Sequence, residues 1–188
     1  MRKHLAWLCL RLFGWQPLGA KPPVPKLVLL AYAHTSNWDL LVYVLCAWYF
    51  GIPLSWMGKE ELFRGILGVP MRAINGIPIR RDRRENVVQQ MARHFAERDE
   101  LCLLIAPEGT RSHVDYLKSG FYQIAQAASV PICLSYIDYA RKRAGIGPLV
   151  YTTGDATKDM DVIRAFYADT AAGRYPQLEG RLRLRKED

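Results

Sequence analysis

Apolar runs and helical patterns alternate along most of this chain. Short runs without polar interruption are typical of strands buried on both faces of a sheet, while apolar residues at intervals of three and four indicate helices. The pattern predicts strands at residues 26–33, 54–57, 76–79, 101–106, 131–137 and 149–151. It predicts helices at residues 38–50, 84–98, 120–128 and 160–172. A further helix is predicted from residue 60, and Pro70 must end or kink it. The alternating Arg and Leu residues at 181–185 suggest an edge strand.

Strands separated by helices predict an α/β fold. We expect one domain, residues 26–188, with a mixed, largely parallel sheet flanked by helices. Residues 1–18 are predicted to form an N-terminal amphipathic helix, which the proline-rich stretch 19–25 separates from this domain. No internal repeat or change of composition indicates a second large domain.

Two apolar segments raise the question of a membrane. Residues 1–15 begin with Arg2 and Lys3 and are interrupted by Arg11, so the apolar run is shorter than the roughly 20 residues that cross a bilayer. A helix lying in the membrane interface and a helix packed on the domain both fit this pattern. In the segment 38–57, Gly51 and Pro53 break the apolar run, which favours a core helix followed by a strand.

The net charge indicates the kind of partner, and the cysteine spacing indicates the state of the thiols. The formal net charge of +8 favours an anionic partner: nucleic acid, an anionic membrane surface or a phosphorylated substrate. The four cysteines are widely spaced, with no CxxC pair, which indicates buried, reduced thiols and no zinc site.

The first chemical motif is His34-Thr-Ser-Asn-Trp-Asp39, directly after the strand predicted at 26–33. Asp39 would fall in the first turn of the next helix and could reach back to the imidazole of His34. A His whose ring is held by a carboxylate acts as a base of fixed tautomer. His94 and Asp99 have the same spacing but lie on a charged, amphipathic helix, so we interpret His94 as a surface residue.

Two further motifs also follow predicted strands. In the run 106–112, Gly109 permits close approach of a ligand, Thr110 and Ser112 offer hydroxyls, and Arg111 offers a planar fork for a phosphate. A tight structural turn of this composition is the alternative. Residues 76–84 contain four arginines (Arg80, Arg81, Arg83, Arg84), which predict a local anion-binding patch.

Taken in order, these motifs resemble the glycerolipid acyltransferase family, whose best-known members acylate lysophosphatidic acid. The family's first block corresponds here to His34, Ser36 and Asp39, and its second block to Gly76 and Arg81. Its third block corresponds to residues 107–112 and its fourth to Val130-Pro131-Ile132. A Lys-x-Glu-Leu element between the first two blocks corresponds to Lys59, Glu61 and Leu62. Ala33 stands where many members have Asn, and the residues after Ile132 also depart from the family's pattern. These departures leave the identity of the acceptor lipid open.

The resemblance implies an O-acyltransferase of phospholipid biosynthesis. His34 would act as general base and Asp39 would orient it, while Arg81, Glu108, Gly109, Thr110 and Arg111 would bind substrate. We expect no metal and no cofactor, with a thioester of CoA or acyl carrier protein as co-substrate. The expected partners are a lysophospholipid or glycerol-phosphate-type acceptor and a membrane surface, and no nucleic acid. We expect the protein to lie on the cytoplasmic side of a membrane as a peripheral or monotopic protein. A lyso-aminolipid acyltransferase, a phospholipid transacylase and a non-catalytic lipid- or phosphate-binding module are the alternatives.

Overall fold

A computed structural model of the chain describes residues 2–79, 87–168, 170 and 173–185. Among these residues, seven strands form one sheet in the order β1-β7-β6-β2-β5-β3-β4. The strands are β1 (Gln16–Leu18), β2 (Lys26–Tyr32), β3 (Leu54–Lys59), β4 (Gly76–Ile79), β5 (Leu101–Ile105), β6 (Ile132–Asp138) and β7 (Arg143–Val150). All neighbouring pairs are parallel except β6 and β7. The predicted α/β fold with a mixed, largely parallel sheet is confirmed.

Helices cover both faces of this sheet. They are α1 (Arg2–Leu12), α2 (Trp38–Phe50), α3 (Gly65–Ala73), α4 (Val87–Glu97), α5 (Gly120–Ala128) and α6 (Ala156–Tyr167), with 3-10 turns at Glu60–Phe63 and Pro176–Leu178. Side chains of α1, α2 and α3 pack in one hydrophobic cluster and those of α4, α5 and α6 in another. We call the α1–α2–α3 side of the sheet the front layer and the opposite side the back layer.

Strand β2 shows why the chain folds in this way. Successive side chains of a strand point to opposite faces, and here Val28 and Leu30 enter the back cluster while Leu27 and Leu29 enter the front cluster. All four are at most 2% exposed. Burial of a Leu side chain contributes about 1.5–3 kcal/mol, so a central strand of this composition is stable only with helices on both sides.

Several predicted element boundaries differ from the structure. The N-terminal helix ends at Leu12 rather than continuing to residue 18, and residues 16–18 form β1, a short edge strand beside β7. The chain reverses at Gly14, whose φ of 73° is accessible to glycine at little cost. Helix α3 continues through Pro70 to Ala73, and β7 is longer than the predicted strand 149–151. The predicted helix residues 84–86 lie outside the described residues.

The predicted edge strand at 181–185 is wrong. The described part of this segment joins no strand of the sheet and makes one isolated bridge, between Leu184 and Leu117. The edge strands of the sheet are β1 and β4, and the segment pairs with neither of them, because its backbone groups hydrogen-bond the loop before α5 instead. Arg181 N donates to Val114 O at 2.9 Å, and Leu117 N donates to Arg183 O at 2.8 Å.

The topology brings two of the predicted motifs together. Strands β2 and β5 are parallel neighbours, with Leu30 in register with Ile105, so the segments that follow them meet at the same edge of the sheet. His34 follows β2 and the run 106–112 follows β5. This is the edge at which open α/β sheets bind ligands. None of the helices formed by the described residues combines the length and apolarity needed to cross a bilayer.

Candidate active site

His34 and Asp39 form the pair that their spacing predicted. The Nδ1 of His34 lies 3.0 Å from Oδ2 of Asp39. The carboxylate is 1% exposed, while the imidazole is 25% exposed. No described residue forms a hydrogen bond with the other ring nitrogen, Nε2. Since a carboxylate accepts from Nδ1, the imidazole has its proton on Nδ1 and a basic Nε2.

Asp39 is held by three more donors. The backbone N–H groups of Thr35 and Ser36 each donate to Oδ2 at 3.0 Å, and the phenol of Tyr139 donates to Oδ1 at 2.7 Å. Four hydrogen bonds to one carboxylate, itself in the first turn of α2, fix its position against the imidazole. Burial, together with this hydrogen bond to Asp39, raises the pKa of Tyr139 well above its usual value, so the phenol stays a donor.

The hydroxyl of Ser36 is engaged within the same turn. Its Oγ accepts a hydrogen bond from Trp38 N at 3.2 Å, which satisfies one of the free N–H groups at the start of α2. This arrangement favours a structural role for Ser36.

Glu108 joins the second motif to the first. Its Oε1 accepts a hydrogen bond from the backbone N–H of His34 at 2.9 Å. The residue is 2% exposed, and its Oε2 is buried without a hydrogen-bond partner among the described residues. Burial raises the pKa of Glu108 from 4.5 to about 7. A buried carboxyl oxygen without a hydrogen-bond partner is unusual in a folded protein.

The loop after Glu108 carries the remaining predicted substrate-binding residues. Gly109 has a φ of 64°, and a Cβ added to it would lie 2.7 Å from Nζ of Lys118. The hydroxyl of Thr110 accepts from Ser112 N at 3.3 Å, within this loop. Arg111 donates to the side-chain oxygen of Asn37, in the turn between His34 and Asp39. Arg81 lies outside the described residues.

A segment near the C-terminus crosses the site. We call residues 173–180 the strap. Tyr175 N donates to the hydroxyl of Thr35 at 3.1 Å, and the phenol of Tyr32 donates to Gly180 O at 2.8 Å. Within the strap, Oε1 of Glu179 accepts from Gly173 N at 2.6 Å. The strap is therefore tied to β2 at one end and to the turn after it at the other.

An apolar groove of about 300 Å³ opens beside the pair. It is lined by Phe13, Trp15, Trp38, Leu41, Val42, Leu45, Tyr139, Lys142 and Arg174. Neither His34 nor Asp39 lines the groove, but Tyr139 lines it and also hydrogen-bonds Asp39, so this side chain connects the groove wall to the pair. Four of the lining residues belong to α2, so this helix forms one wall of the groove.

The second His–Asp pair has no such geometry. His94 lies on the partly exposed side of α4 and forms no hydrogen bond with Asp99, which is exposed. Burial, followed by repulsion from Arg98, lowers the pKa of His94. The equal spacing therefore does not distinguish the two pairs, whereas the position of His34 between a strand and a helix does. The described residues contain no group of three or more His, Cys, Asp or Glu side chains placed to hold a metal ion.

The fold and site define an α/β enzyme with a carboxylate-oriented histidine at the carboxyl edge of its sheet. The sequence profile of the acyltransferase family matches residues 21–137, more than half of the chain. The chain belongs to the acyltransferase family, as its motifs predicted. Helix α6 and the strap lie outside the matched region.

The structure is similar to the crystal structure of PlsC, the 1-acyl-sn-glycerophosphate (LPA) acyltransferase from Thermotoga maritima. The TM-score is 0.60 at 17% sequence identity, over 88% of this chain and 76% of that chain. A comparison with the sequences of curated proteins found no match.

Of the predicted residues, the structure brings together His34, Asp39, Glu108 and Arg111, with Gly109 and Thr110 in the same loop. Sequence reasoning missed Tyr139 and Arg174. Neither stands in a recognisable motif, and they reach the site from positions 100 and 135 residues after Asp39 by way of β6 and the strap. Only the tertiary contacts identify them.

Proposed function

We propose that this acyltransferase moves a fatty acyl group from a thioester of CoA or acyl carrier protein to a hydroxyl of a phosphate-bearing lysoglycerolipid. The observation that carries this proposal is the His34–Asp39 pair, because it is a base without a protein nucleophile of its own. Such a pair suits a reaction in which the substrate brings the attacking hydroxyl.

In the proposed reaction, Nε2 of His34 removes the proton of the acceptor hydroxyl as its oxygen attacks the thioester carbonyl. The C–O bond forms and a tetrahedral intermediate results. Its collapse breaks the C–S bond, and the leaving thiolate takes the proton back from the imidazolium. The carboxylate of Asp39 stabilises the imidazolium in between. General-base catalysis of this kind contributes a factor of about 10²–10⁴.

The surroundings of the pair support an amphiphilic substrate. The apolar groove along α2 suits an acyl chain, and Arg111 adjoins the same turn as a donor for a phosphate. In this proposal the free Oε2 of Glu108 accepts a hydrogen bond from an acceptor hydroxyl. Arg81 remains a proposed phosphate ligand on the strength of the family motif alone.

The distribution of exposed apolar residues supports membrane association. Eleven of the fourteen exposed large apolar residues of the described chain belong to the front layer. They are Leu5, Trp7, Leu8, Leu12, Phe13, Trp38, Leu41, Leu62, Ile66, Leu67 and Val69. Arg2, Lys3 and Arg11 on α1, Arg64 directly before α3 and Arg72 on α3 accompany them. Apolar and aromatic side chains among cations are typical of a surface that lies on anionic lipid.

We therefore propose that the front layer docks on an anionic bilayer, with the protein peripheral or monotopic on its cytoplasmic side. The groove is lined by α2 and by Phe13, just after α1, so a front-layer contact would place its mouth near the lipid. A lysolipid could then enter without crossing water.

The experiment is acyl transfer by the purified protein from labelled acyl-CoA, and separately from acyl carrier protein, to a panel of lysolipids with and without a phosphate. His34→Ala should slow transfer by about 10²–10⁴-fold, and His94→Ala, the matched control from the second pair, should preserve it. Transfer to an amino-bearing acceptor would favour the lyso-aminolipid alternative, and transfer from intact phospholipid the transacylase. Lysolipid binding without transfer from any donor would favour the binding module and overturn the proposal.

A further inference from the structure

The strap places a cation over the rim of the groove. The side chain of Arg174 is exposed, and its guanidinium carbon lies 5.9 Å from the ring centroids of both Trp38 and Tyr139 and 5.8 Å from that of Tyr175. Arg174 forms no ion pair with a carboxylate of the described residues. The ring contacts fix its position and leave its N–H donors available.

The backbone at Arg174 is fixed as well. On one side, Gly173 is buried, its N–H donates to Glu179, and a Cβ on it would lie 2.9 Å from the hydroxyl of Thr35. On the other side, the N–H of Tyr175 donates to that same hydroxyl. Arg174 is thus held between two residues anchored to the turn that carries the catalytic pair.

Two arginines therefore flank the start of α2 from different parts of the chain. From the loop after β5, Arg111 donates a hydrogen bond to Asn37. From the strap, Arg174 lies over the ring of Trp38, which follows Asn37 in the sequence. Of the two, Arg174 lines the groove, whose other lining side chains are apolar or aromatic apart from Lys142. The Nζ of Lys142 lies 5.1 Å from the ring centroid of Trp15. An apolar groove with an unpaired guanidinium at its rim suits a chain that ends in an anion.

We infer that Arg174 binds a phosphate group of the substrate whose acyl chain occupies the groove. This assignment rests on the proposed function, and it adds a binding residue beyond the matched acyltransferase region. Two substrates carry the required chemistry: the lysolipid acceptor, with its headgroup phosphate, and acyl-CoA, with the phosphates of its nucleotide. In either case the guanidinium fork donates two hydrogen bonds to phosphate oxygens.

The test compares Arg174→Ala, Arg174→Lys and the wild type on paired probes of equal chain length. The acceptor pair is decanoyl-glycerol 3-phosphate and monodecanoylglycerol. The donor pair is decanoyl-CoA and decanoyl-pantetheine, which lacks the phosphates. Kd is measured by calorimetry for each probe alone, and kcat and KM are measured for transfer. Arg181→Ala is the matched control, since it removes a cation from the same C-terminal segment where it faces Asp115 at 3.7 Å.

We expect Arg174→Ala to raise Kd and KM for one phosphate-bearing probe about 10- to 100-fold, the loss typical of one charge-assisted hydrogen-bonded contact. The kcat should stay within about 2-fold, the phosphate-free partner should bind unchanged, and Arg174→Lys should recover part of the affinity. The affected pair identifies whether the phosphate belongs to acceptor or donor.

An equal loss of affinity for all four probes in Arg174→Ala would show that Arg174 only supports the fold of the strap. Unchanged Kd and KM values would show that it contacts no phosphate. Either result overturns the inference. The binding measurements stand without turnover. A wild type that binds the phosphate probes through Arg174 but transfers nothing would refute the proposed function and leave the inference intact.

Discussion

Replacement of Asp39 by Asn tests the catalytic assignment most directly. The variant keeps the shape of the side chain, and its amide oxygen can still accept from Nδ1 of His34 and from the Thr35 and Ser36 N–H groups. What it removes is the negative charge 3.0 Å from the imidazole. At an effective dielectric constant of about 20, that charge attracts an imidazolium with about 5 kcal/mol.

Not all of this attraction is lost from the transition state. The imidazole is partly exposed, with 25% of its surface in solvent, and the proton is only partly transferred when the barrier is crossed. We therefore expect a barrier higher by about 2–4 kcal/mol, which is a fall in kcat of roughly 30- to 1,000-fold. The KM values should change little, since neither substrate is bound by Asp39.

The assay is steady-state transfer from labelled acyl-CoA, with thermal unfolding to verify that the variant is folded. Asp99→Asn is the control, because it changes the carboxylate of the other His–Asp pair and should retain full activity. The double variant His34→Ala with Asp39→Asn should be no slower than His34→Ala alone, since the two residues act as one unit. An Asp39→Asn enzyme within 3-fold of wild type, or fully additive losses, would refute the assignment.

Three other perturbations test the site and the front layer. Because burial raises the pKa of Glu108 from 4.5 to about 7, its ionisation destabilises the folded protein as pH rises from about 4.5 to 7. Glu108→Gln should therefore raise the free energy of unfolding by up to about 3 kcal/mol at pH 8 and by little at pH 4. An equal effect at the two pH values would contradict this explanation. Ile66→Asp, on a residue 92% exposed on α3, should weaken co-sedimentation with phosphatidylglycerol vesicles about 10-fold or more. Val162→Asp, 53% exposed on the back layer, should not, and equal weakening by both would remove the front layer as the docking surface. Gly109→Ala should cost about 1–2 kcal/mol of stability from its positive φ and also raise KM, because its Cβ would press on Lys118 and displace the loop that we propose binds substrate. Gly14→Ala, also at positive φ but with nothing within 4 Å of its Cβ, should show the stability loss alone, and an equal change of KM in both would contradict a role for the loop.

Local pattern was sufficient for much of the fold. The helix at Trp38–Phe50 and the strand at Gly76–Ile79 were predicted with their observed bounds, because each has a clear break at both ends. Strand β1 was missed, since its three residues have no strand pattern and are a strand only through pairing with β7. The strand predicted at 181–185 was wrong for the opposite reason: the segment has an alternating pattern, but its backbone pairs with the loop before α5 and not with the edge strands β1 and β4.

The sequence by itself located the His34–Asp39 pair and the loop after β5, because each lies within a few residues of the end of a buried strand and the pattern of each is local. His34, Asp39, Glu108 and Arg111 could be named from motif and context. The tertiary structure decided what surrounds them: the phenol of Tyr139 on the carboxylate, the orphan oxygen of Glu108, and the strap that places Arg174 over the groove. These contacts join residues up to 148 positions apart. Parallel pairing of strands, which no local pattern encodes, brings such distant segments to one edge of the sheet.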